Sequence, residues 1–257
     1  PSEKQFSPKV EESDRIRVGW LGGSSHLADL EILRGTVNKL ISLKDQLQFV
    51  LCGFDTRGSI TEMNPQTGEE RTRKIRPKES VWYEYEKIFT GDYKIVDKTQ
   101  MSQLMQFKFG EEFGDSDTPY RRVWTKPITT YAGNYNKFDI SLAPLKHHTF
   151  NRVKSQLKVI EAGFHKKALI AQDFGPYQLD CINAYEKGGT FNDKGNSLLI
   201  DASRNHKQWA QHIKRLVTNP SLIEDLGERL YESVQKYHID IVTEKRAELY
   251  KQIIKSH

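Results

Sequence analysis

Two apolar runs near the start of the chain, separated by about one helix, constrain the fold more than any other feature. The first run, RIRVGWL at 15–21, ends in the small residues GGSS at 22–25. The second run is LQFVLCG at 47–53, and we expect a helix between the two, over about 27–43. Short apolar runs bounded by turn residues are typical of buried strands, and a crossover of this length joins parallel strands. The sequence therefore predicts an α/β fold with a Rossmann-like parallel sheet flanked by helices.

Three later segments are also predicted to be strands, with a helix between the first two. The strands are FDISLAPL at 138–145, KALIAQ at 167–172 and NSLLID at 196–201. The stretch NRVKSQLKVIEAG at 151–163 is interpreted as one continuous helix. Its apolar stripe, at the spacing of one helix face, comprises Val153, Leu157, Ile160 and Phe164.

The C-terminal part is predicted to be helical, with helices over about 203–217, 219–237 and 240–255. Ser203 is a suitable N-cap for the first of these helices, and Pro220 suits the start of the second.

Two segments fall outside this regular pattern. Residues 1–14, PSEKQFSPKVEESD, carry two prolines and many charges, and we interpret them as the remnant of an interdomain linker. Residues 15–257 then form one domain, with an insertion at about 56–122. The insertion is interpreted as an elaborated surface loop with one or two packed helices.

Composition narrows the function classes. Lys and Arg number 39 against 34 Asp and Glu, so the net charge is +5, which suits an anionic ligand or an acidic lipid surface. The densest basic run, RTRKIRPK at 71–78, is interrupted, and we expect no nucleic-acid partner. Cys52 and Cys181 belong to no CxxC pair and are expected to be reduced thiols in a cytoplasmic protein. We expect no signal peptide, membrane-spanning helix or metal site.

Candidate site residues lie in the loops after the predicted strands, because ligands of open parallel sheets bind there. Gly22, Gly23 and Ser24 follow the first strand, and small residues let the backbone approach an anion. The loop lacks a dinucleotide fingerprint, because Leu27 occupies the third glycine position, and it lacks a Walker motif. A plain turn and a phosphate cradle are both compatible with it.

A second candidate loop precedes the helix at 151–163. Its residues Asn151, Lys154 and Ser155 crowd the predicted first turn, and Lys158 lies four positions beyond Lys154. Lysines four apart on a helix repel each other, so either water solvates them or they share an anion such as a diphosphate.

Two further residues complete the candidate site. Glu161 could accept hydrogen bonds from both ribose hydroxyls, or it could be an exposed helix acid. Gly175 follows the next strand and offers backbone N–H groups to an anion. His147 and His148 have no matching ligand set for a metal and are interpreted as loop residues.

Together, FDISLAPL, NRVKSQLKVIEAG, ALIAQDFGPY and GNSLLID resemble the nucleotide-sugar-binding, C-terminal half of group-one glycosyltransferases of the GT-B fold. The resemblance implies a UDP- or GDP-sugar donor, no other cofactor and no obligatory metal. It gives Lys154 a phosphate-binding role and Glu161 a ribose-binding role. Many relatives carry a glutamate eight positions before the second one, but Val153 occupies that position here.

The resemblance also implies a retaining glycosyl transfer to a glycan or lipid-linked acceptor in polysaccharide biosynthesis. It implies that an N-terminal acceptor-binding half is a partner and that the isolated fragment is inactive without it. From the excess of basic residues we expect a peripheral contact with the inner face of a membrane. Three alternatives remain open: a UDP-sugar epimerase of GT-B fold, a nicotinamide-dependent Rossmann enzyme and a basic nucleic-acid-binding module.

Overall fold

The computed structural model describes residues 6, 8, 11–106, 110–186, 188–201 and 206–255. Its strands are β1 Ile16–Leu21, β2 Leu47–Phe54, β3 Ser59–Met63, β4 Glu70–Lys74, β5 Tyr120–Trp124, β6 Ile140–Ala143, β7 Ala168–Asp173 and β8 Leu198–Asp201. Six of them form one sheet in the order β5-β2-β1-β6-β7-β8, and every pairing in it is parallel. The predicted α/β class and Rossmann-like parallel sheet are therefore confirmed.

Helices cover both faces of this sheet. They are α1 Leu27–Leu30, α2 Val81–Thr90, α3 Lys98–Leu104, α4 Thr149–Arg152, α5 Leu157–Phe164, α6 His206–Thr218, α7 Ser221–Val234 and α8 Ile239–Lys255. Successive residues of β2 alternate between two apolar clusters, with Phe49 and Leu51 in one and Val50 and Cys52 in the other. All eight residues of β2 are buried, as expected for a parallel strand covered on both faces.

The order of the strands reverses between β1 and β6. The chain moves outward from β1 through β2 to β5, then returns to place β6, β7 and β8 on the other side of β1. The loops that leave the carboxyl ends of β1 and β6 therefore diverge and open a crevice between them.

The prediction of one continuous helix over 27–43 is wrong. Only α1 is α-helical there, and three short 3-10 turns follow it at Glu31–Leu33, Val37–Lys39 and Ile41–Leu43. Gly35, with φ of 89°, breaks the helical path in a region that favours glycine. Leu30, Leu33, Val37 and Leu40 of the segment are nevertheless buried. The hydrophobic pattern therefore indicates the contact with the core but does not determine the type of helix.

The single helix predicted over 151–163 is also wrong, because α4 ends at Arg152 and α5 begins at Leu157. The amide of Asn151 donates to the Lys146 carbonyl and to Asp29, so its bonds fix the loop in place of a continuing helix. Val153, in the break, is 81% exposed, which contradicts its place in the predicted apolar stripe.

The segment at 56–122 contains both a projecting hairpin and part of the core. Strands β3 and β4 pair with each other in an antiparallel hairpin outside the main sheet. Helix α2 packs against β2, and β5 then joins the sheet beside β2. Trp82 and Tyr85 of α2 are buried in one of the two apolar clusters.

The C-terminal helices agree with the prediction. Helix α6 covers most of 203–217, α7 and the 3-10 turn Gln235–Tyr237 cover 219–237, and α8 covers 240–255. The predicted cap Ser203 lies outside the described residues.

Candidate functional site

A cleft of about 1030 Å³ lies at the carboxyl ends of β1, β2, β5 and β6, where the strand order reverses. Seven of the nine predicted site residues line it: Gly22, Gly23, Ser24, Lys154, Ser155, Lys158 and Glu161. The structure therefore brings together residues that are separated by more than 120 positions in the sequence.

Two glycines allow close packing around the backbone of the loop after β1. A Cβ on Gly22 would lie 2.3 Å from the ring of Trp20, and a Cβ on Gly53 would lie 2.2 Å from the Gly22 carbonyl oxygen. By contrast, a Cβ on Gly23 would meet no described atom within 4 Å. Gly22 is therefore required by packing, whereas Gly23 faces space that a ligand can occupy.

Tyr85 of α2 anchors this loop through two hydrogen bonds. Its hydroxyl accepts a hydrogen bond from the His26 backbone N–H at 2.8 Å and donates to the Gly23 carbonyl at 3.3 Å. Burial raises the pKa of Tyr85 to about 12, so the hydroxyl keeps its proton near neutral pH. Sequence reasoning missed Tyr85, because it lies in the segment that could not be assigned.

Lys158 reaches into the cleft from the first turn of α5. Its ammonium group donates to the Leu21 carbonyl and lies 5.4 Å from the centroid of the Trp20 ring. The side chain is half-buried, and enclosure of the ammonium group lowers its pKa. One carbonyl and one aromatic ring contact this cation, but no carboxylate pairs with it in the described part of the chain.

Lys154 lies in the break between α4 and α5, so it and Lys158 do not form a pair on one helix. Its Nζ is 3.5 Å from Asp29 Oδ2. Asp29 also interacts with the His26 ring and accepts hydrogen bonds from the Lys146 backbone N–H and the Asn151 amide. Burial acts to raise the pKa of Asp29, but the bonds from His26 and Lys146 and the charge of Lys154 outweigh it and lower the pKa.

Asn151 is therefore placed behind the cleft instead of in its lining. It is 5% exposed, and its amide is occupied by Asp29 and by the Lys146 carbonyl. Its contact with the site is indirect, through Asp29.

Glu161 lines the cleft but is 3% exposed, which is inconsistent with an exposed helix acid. One of its carboxylate oxygens accepts a hydrogen bond from Tyr131, and the other accepts one from Tyr135 at 2.8 Å. Burial and the nearby carboxylate raise the pKa of both tyrosines, so both remain donors. Their spacing, i and i+4 in a helical turn, was visible in the sequence, but nothing there linked them to Glu161.

Asn134 is a second buried polar group that the sequence did not single out. It is 0% exposed and lines the cleft, yet neither polar atom of its amide has a hydrogen-bond partner among the described residues. Leaving a buried amide unpaired is costly, so a ligand or water molecule is expected to satisfy it.

Charge in the cleft is not evenly compensated. Arg57 pairs with Asp55 at 2.6 Å, and Glu79 pairs with Arg73 at 2.7 Å. Lys126, which also lines the cleft, has no ion pair or hydrogen bond of its side chain within the described ranges. Among the described lining residues, the charges without an ion-pair partner are therefore Lys126, Lys158 and the Glu161 carboxylate, and the two lysines suit an anion.

Gly175 lies outside this cleft, in an adjacent cavity of about 490 Å³. Its φ is 61°, and a Cβ there would lie 3.1 Å from the Asn151 carbonyl oxygen. Lys154 lines both cavities, so the two share one wall.

The described residues contain no group of three or more His, Cys, Asp or Glu side chains placed to hold a metal ion. None of their helices has the length and apolar character needed to cross a membrane.

Comparison with known proteins places the fold. No protein-family model matches the chain, and no curated protein matches its sequence. Among solved structures, sucrose-phosphate synthase from Thermosynechococcus elongatus is 16% identical, with a TM-score of 0.56 over 100% of this chain and 52% of that one. HepE from Anabaena, solved with UDP and glucose, is 12% identical, with a TM-score of 0.54 over 93% of this chain and 48% of that one.

A third similar structure is the C-terminal domain of a group 1 glycosyl transferase, LpcC, from Francisella tularensis. It is 15% identical, with a TM-score of 0.50 over 93% of this chain and 99% of that one. This chain therefore has the fold of the C-terminal half of a GT-B glycosyltransferase, as the sequence predicted. It spans about half the length of the first two structures.

Proposed function

We propose that this chain is the nucleotide-sugar-binding domain of a retaining glycosyltransferase, and that its cleft binds a UDP- or GDP-sugar. The main supporting observation is that Lys158 and Lys126 line the cleft at the strand reversal, near a glycine loop, and pair with no carboxylate of the described residues. Anion binding at such a loop is favoured by backbone N–H groups and by cations that have no internal carboxylate partner.

In this proposal Lys158 and Lys154 hold the diphosphate. Lys158 is half-buried, so its attraction to a bound anion is screened less than that of an exposed lysine. Lys154 exchanges its 3.5 Å contact with Asp29 for a phosphate oxygen, while Asp29 keeps its bonds to Lys146 and Asn151.

Glu161 receives the ribose. Tyr131 and Tyr135 each donate to a different oxygen of its carboxylate, which fixes the plane of the group. Each oxygen retains a lone pair, so the carboxylate can accept the two ribose hydroxyls as well.

The chemistry assigned to this domain is electrostatic. As the bond between the sugar and the diphosphate breaks, negative charge grows on the leaving phosphate, and preorganised lysines stabilise it. No general base needs to come from this chain. The acceptor, a glycan or a lipid-linked sugar in polysaccharide biosynthesis, is bound by a separate N-terminal half, without which transfer is not efficient.

We place the protein in the cytoplasm, at or near the inner face of a membrane. Cys52 and Cys181 support the compartment, because both are free, buried thiols. The net charge of +5 supports a peripheral contact with acidic lipids. Co-sedimentation with anionic vesicles at low salt tests that contact, and absence of binding would contradict it.

Thermal-shift titration of this chain with UDP, GDP, ADP, NAD and duplex DNA tests the proposed function. A ligand at 100 times its Kd stabilises the folded state by about 2.7 kcal/mol, which is readily measured. We expect UDP or GDP to raise the melting midpoint, and we expect Lys154→Ala and Glu161→Ala to reduce that shift.

Lys78→Gln is the matched control, because it removes one exposed positive charge outside the cleft lining. Its UDP-dependent shift should equal that of the wild type. Stabilisation by NAD or DNA alone, or by no nucleotide, would contradict the proposed function.

A further inference from the structure

His26 follows the glycine loop and lines the main cleft, yet the proposed function assigns it no role. Its backbone N–H donates to the Tyr85 hydroxyl at 2.8 Å. Its ring packs edge-on to Trp20, with 5.8 Å between ring centroids, and its Nδ1 lies 3.1 Å from Asp29 Oδ2. The side chain is 30% exposed, so the ring is held in place while it remains accessible to a ligand.

The Asp29 carboxylate determines which ring nitrogen of His26 carries a hydrogen. Burial acts to raise the pKa of Asp29, but the bonds from His26 and Lys146 outweigh it, so the carboxylate is ionised near neutral pH. An ionised carboxylate can only accept a hydrogen bond, so the hydrogen lies on His26 Nδ1. In the neutral ring Nε2 is then a bare acceptor, and only the protonated ring can donate from Nε2 to an anion.

The cations of the cleft gather around this ring. Lys154 Nζ lies 3.5 Å from the same Asp29 oxygen that His26 contacts, and Lys158 Nζ lies 5.4 Å from the centroid of the Trp20 ring. His26 Nε2 has no hydrogen-bond partner among the described residues. Two lysines and a protonated His26 therefore surround a single carboxylate, which leaves positive charge for a bound anion.

We infer that protonated His26 donates from Nε2 to the phosphate that carries the sugar, the terminal phosphate of UDP or GDP. The inference rests on the proposed function, which puts the ribose at Glu161 and the diphosphate at Lys158 and Lys154. Lys158 lies three positions before Glu161 on one face of α5, so it meets the phosphate next to the ribose. Lys154 and its neighbour His26 then meet the terminal phosphate. Negative charge grows on that phosphate as the sugar leaves, which strengthens the bond from His26.

Isothermal titration of the chain with UDP, UMP and inorganic pyrophosphate, at pH 5.5 and pH 8.5, tests this role. UMP lacks the terminal phosphate, and pyrophosphate lacks the nucleoside. His26→Phe keeps a ring beside Trp20 but has no donor. At pH 5.5 the variant should bind UDP and pyrophosphate about tenfold more weakly than the wild type, the usual scale for one charged hydrogen bond. At pH 8.5 it should bind them no more weakly, and its affinity for UMP should be unchanged.

Other groups titrate in this cleft, but they contribute equally to the wild type and the variant. The terminal phosphate itself titrates near pH 6, as phosphate monoesters do. Burial lowers the pKa of Lys158 and raises the pKa of Tyr85 to about 12. Burial also raises the pKa of Tyr177, which lies near Asp29, so neither tyrosine ionises below pH 8.5.

His238→Phe is the matched control. His238 also lies beside an aspartate, with its Nδ1 3.5 Å from Asp240 Oδ2, but it is outside the cleft lining. Its substitution should leave the affinity for UDP unchanged at both pH values.

NMR of the wild type gives a measurement that does not depend on the folding of a variant. Long-range ¹H–¹⁵N spectra report whether each ring nitrogen of an assigned histidine carries a hydrogen. A ligand that binds only the protonated ring must favour protonation to the same extent, because binding and protonation are linked. We therefore expect the His26 ring to remain protonated to a higher pH when UDP is bound.

Three results would overturn the inference and leave the proposed function intact. They are equal affinity of UDP for the wild type and His26→Phe at pH 5.5, equal weakening of UMP and UDP by that substitution, and identical titration of the His26 ring with and without UDP. If pyrophosphate binds through His26 and UDP binds no more tightly than pyrophosphate, the anion-binding role of His26 stands and the proposed function is wrong. If neither ligand binds, both are wrong.

Discussion

At the scale of single residues, the two adjacent glycines of the first loop have different roles. Gly22 is enclosed by the Trp20 ring, whereas Gly23 faces open space. Sequence reasoning treated them as one small-residue loop, because only the packing of Trp20 separates them.

This difference gives the first prediction. Gly23→Ala should leave the free energy of unfolding nearly unchanged but weaken UDP binding, because the added methyl group occupies ligand space. Gly22→Ala is the contrasting variant and should lower the melting midpoint, since its Cβ would lie 2.3 Å from Trp20. Thermal melts and UDP titrations of both variants provide the measurement, and full UDP affinity in Gly23→Ala would argue against a ligand at this loop.

Part of the site could be predicted residue by residue, and part could not. Lys154, Lys158 and Glu161 stood out in the sequence because their charges follow a predicted strand. Asn134 and Asp29 did not, because an amide or a carboxylate in a loop becomes informative only when its burial is known. The contact between Asp29 and Asn151, for example, joins segments that lie more than 100 positions apart in the sequence.

At the scale of elements, strands were easier to predict than the helices near the site. A parallel strand buried on both faces is apolar throughout, so β1, β2 and β7 were visible as runs. The helices at 27–43 and 151–163 are broken by Gly35 and by the bonds of Asn151. Those bonds depend on tertiary partners, which helical periodicity does not report.

The second prediction concerns how α2 supports the glycine loop. Tyr85→Phe keeps the ring that packs edge-on to Trp20 at 5.6 Å but removes the bonds to His26 and Gly23. Each lost bond costs about 1 kcal/mol, so we expect a moderately lower melting midpoint and a several-fold weaker UDP affinity. Thermal melts and UDP titration measure the two effects. An unchanged UDP affinity would mean that the loop does not need this support.

At the scale of the whole molecule, two apolar cores lie on opposite faces of the sheet. Phe6, in the segment interpreted as a linker, is 5% exposed and packs against His165, with 5.1 Å between ring centroids. His165 also stacks on Tyr135, so the core on that face extends continuously to the tyrosines that hold Glu161.

The third prediction is a pH dependence of stability through this core. Burial lowers the pKa of His165 to about 4, so between roughly pH 6.5 and pH 4 the unfolded chain binds more protons than the folded one. The histidine therefore contributes stability that is lost as the pH falls through this window, on the order of 3 kcal/mol at its lower end. Glu86 acts in the opposite sense, because burial raises its pKa to about 7.

Comparing the wild type with His165→Phe isolates this effect, since Glu86 contributes equally to both. Phenylalanine keeps an aromatic ring beside Tyr135 but binds no proton. The free energy of unfolding of the variant should therefore fall less than that of the wild type between pH 7 and pH 4.5. Urea unfolding at several pH values measures both slopes. If the free energy of unfolding changes equally with pH in the two proteins, His165 is not buried in its neutral form.

The proposed function requires the cleft to recognise the diphosphate of a nucleotide. The most direct test compares the Kd of UDP with that of uridine, for the wild type and for Lys158→Gln, after melts show that the variant folds. We expect the wild type to prefer UDP by at least about tenfold, the scale of one charged hydrogen bond, and we expect the preference largely to disappear in Lys158→Gln. An equal preference for UDP in both proteins would overturn the proposed role of Lys158, because the diphosphate would then lie away from it.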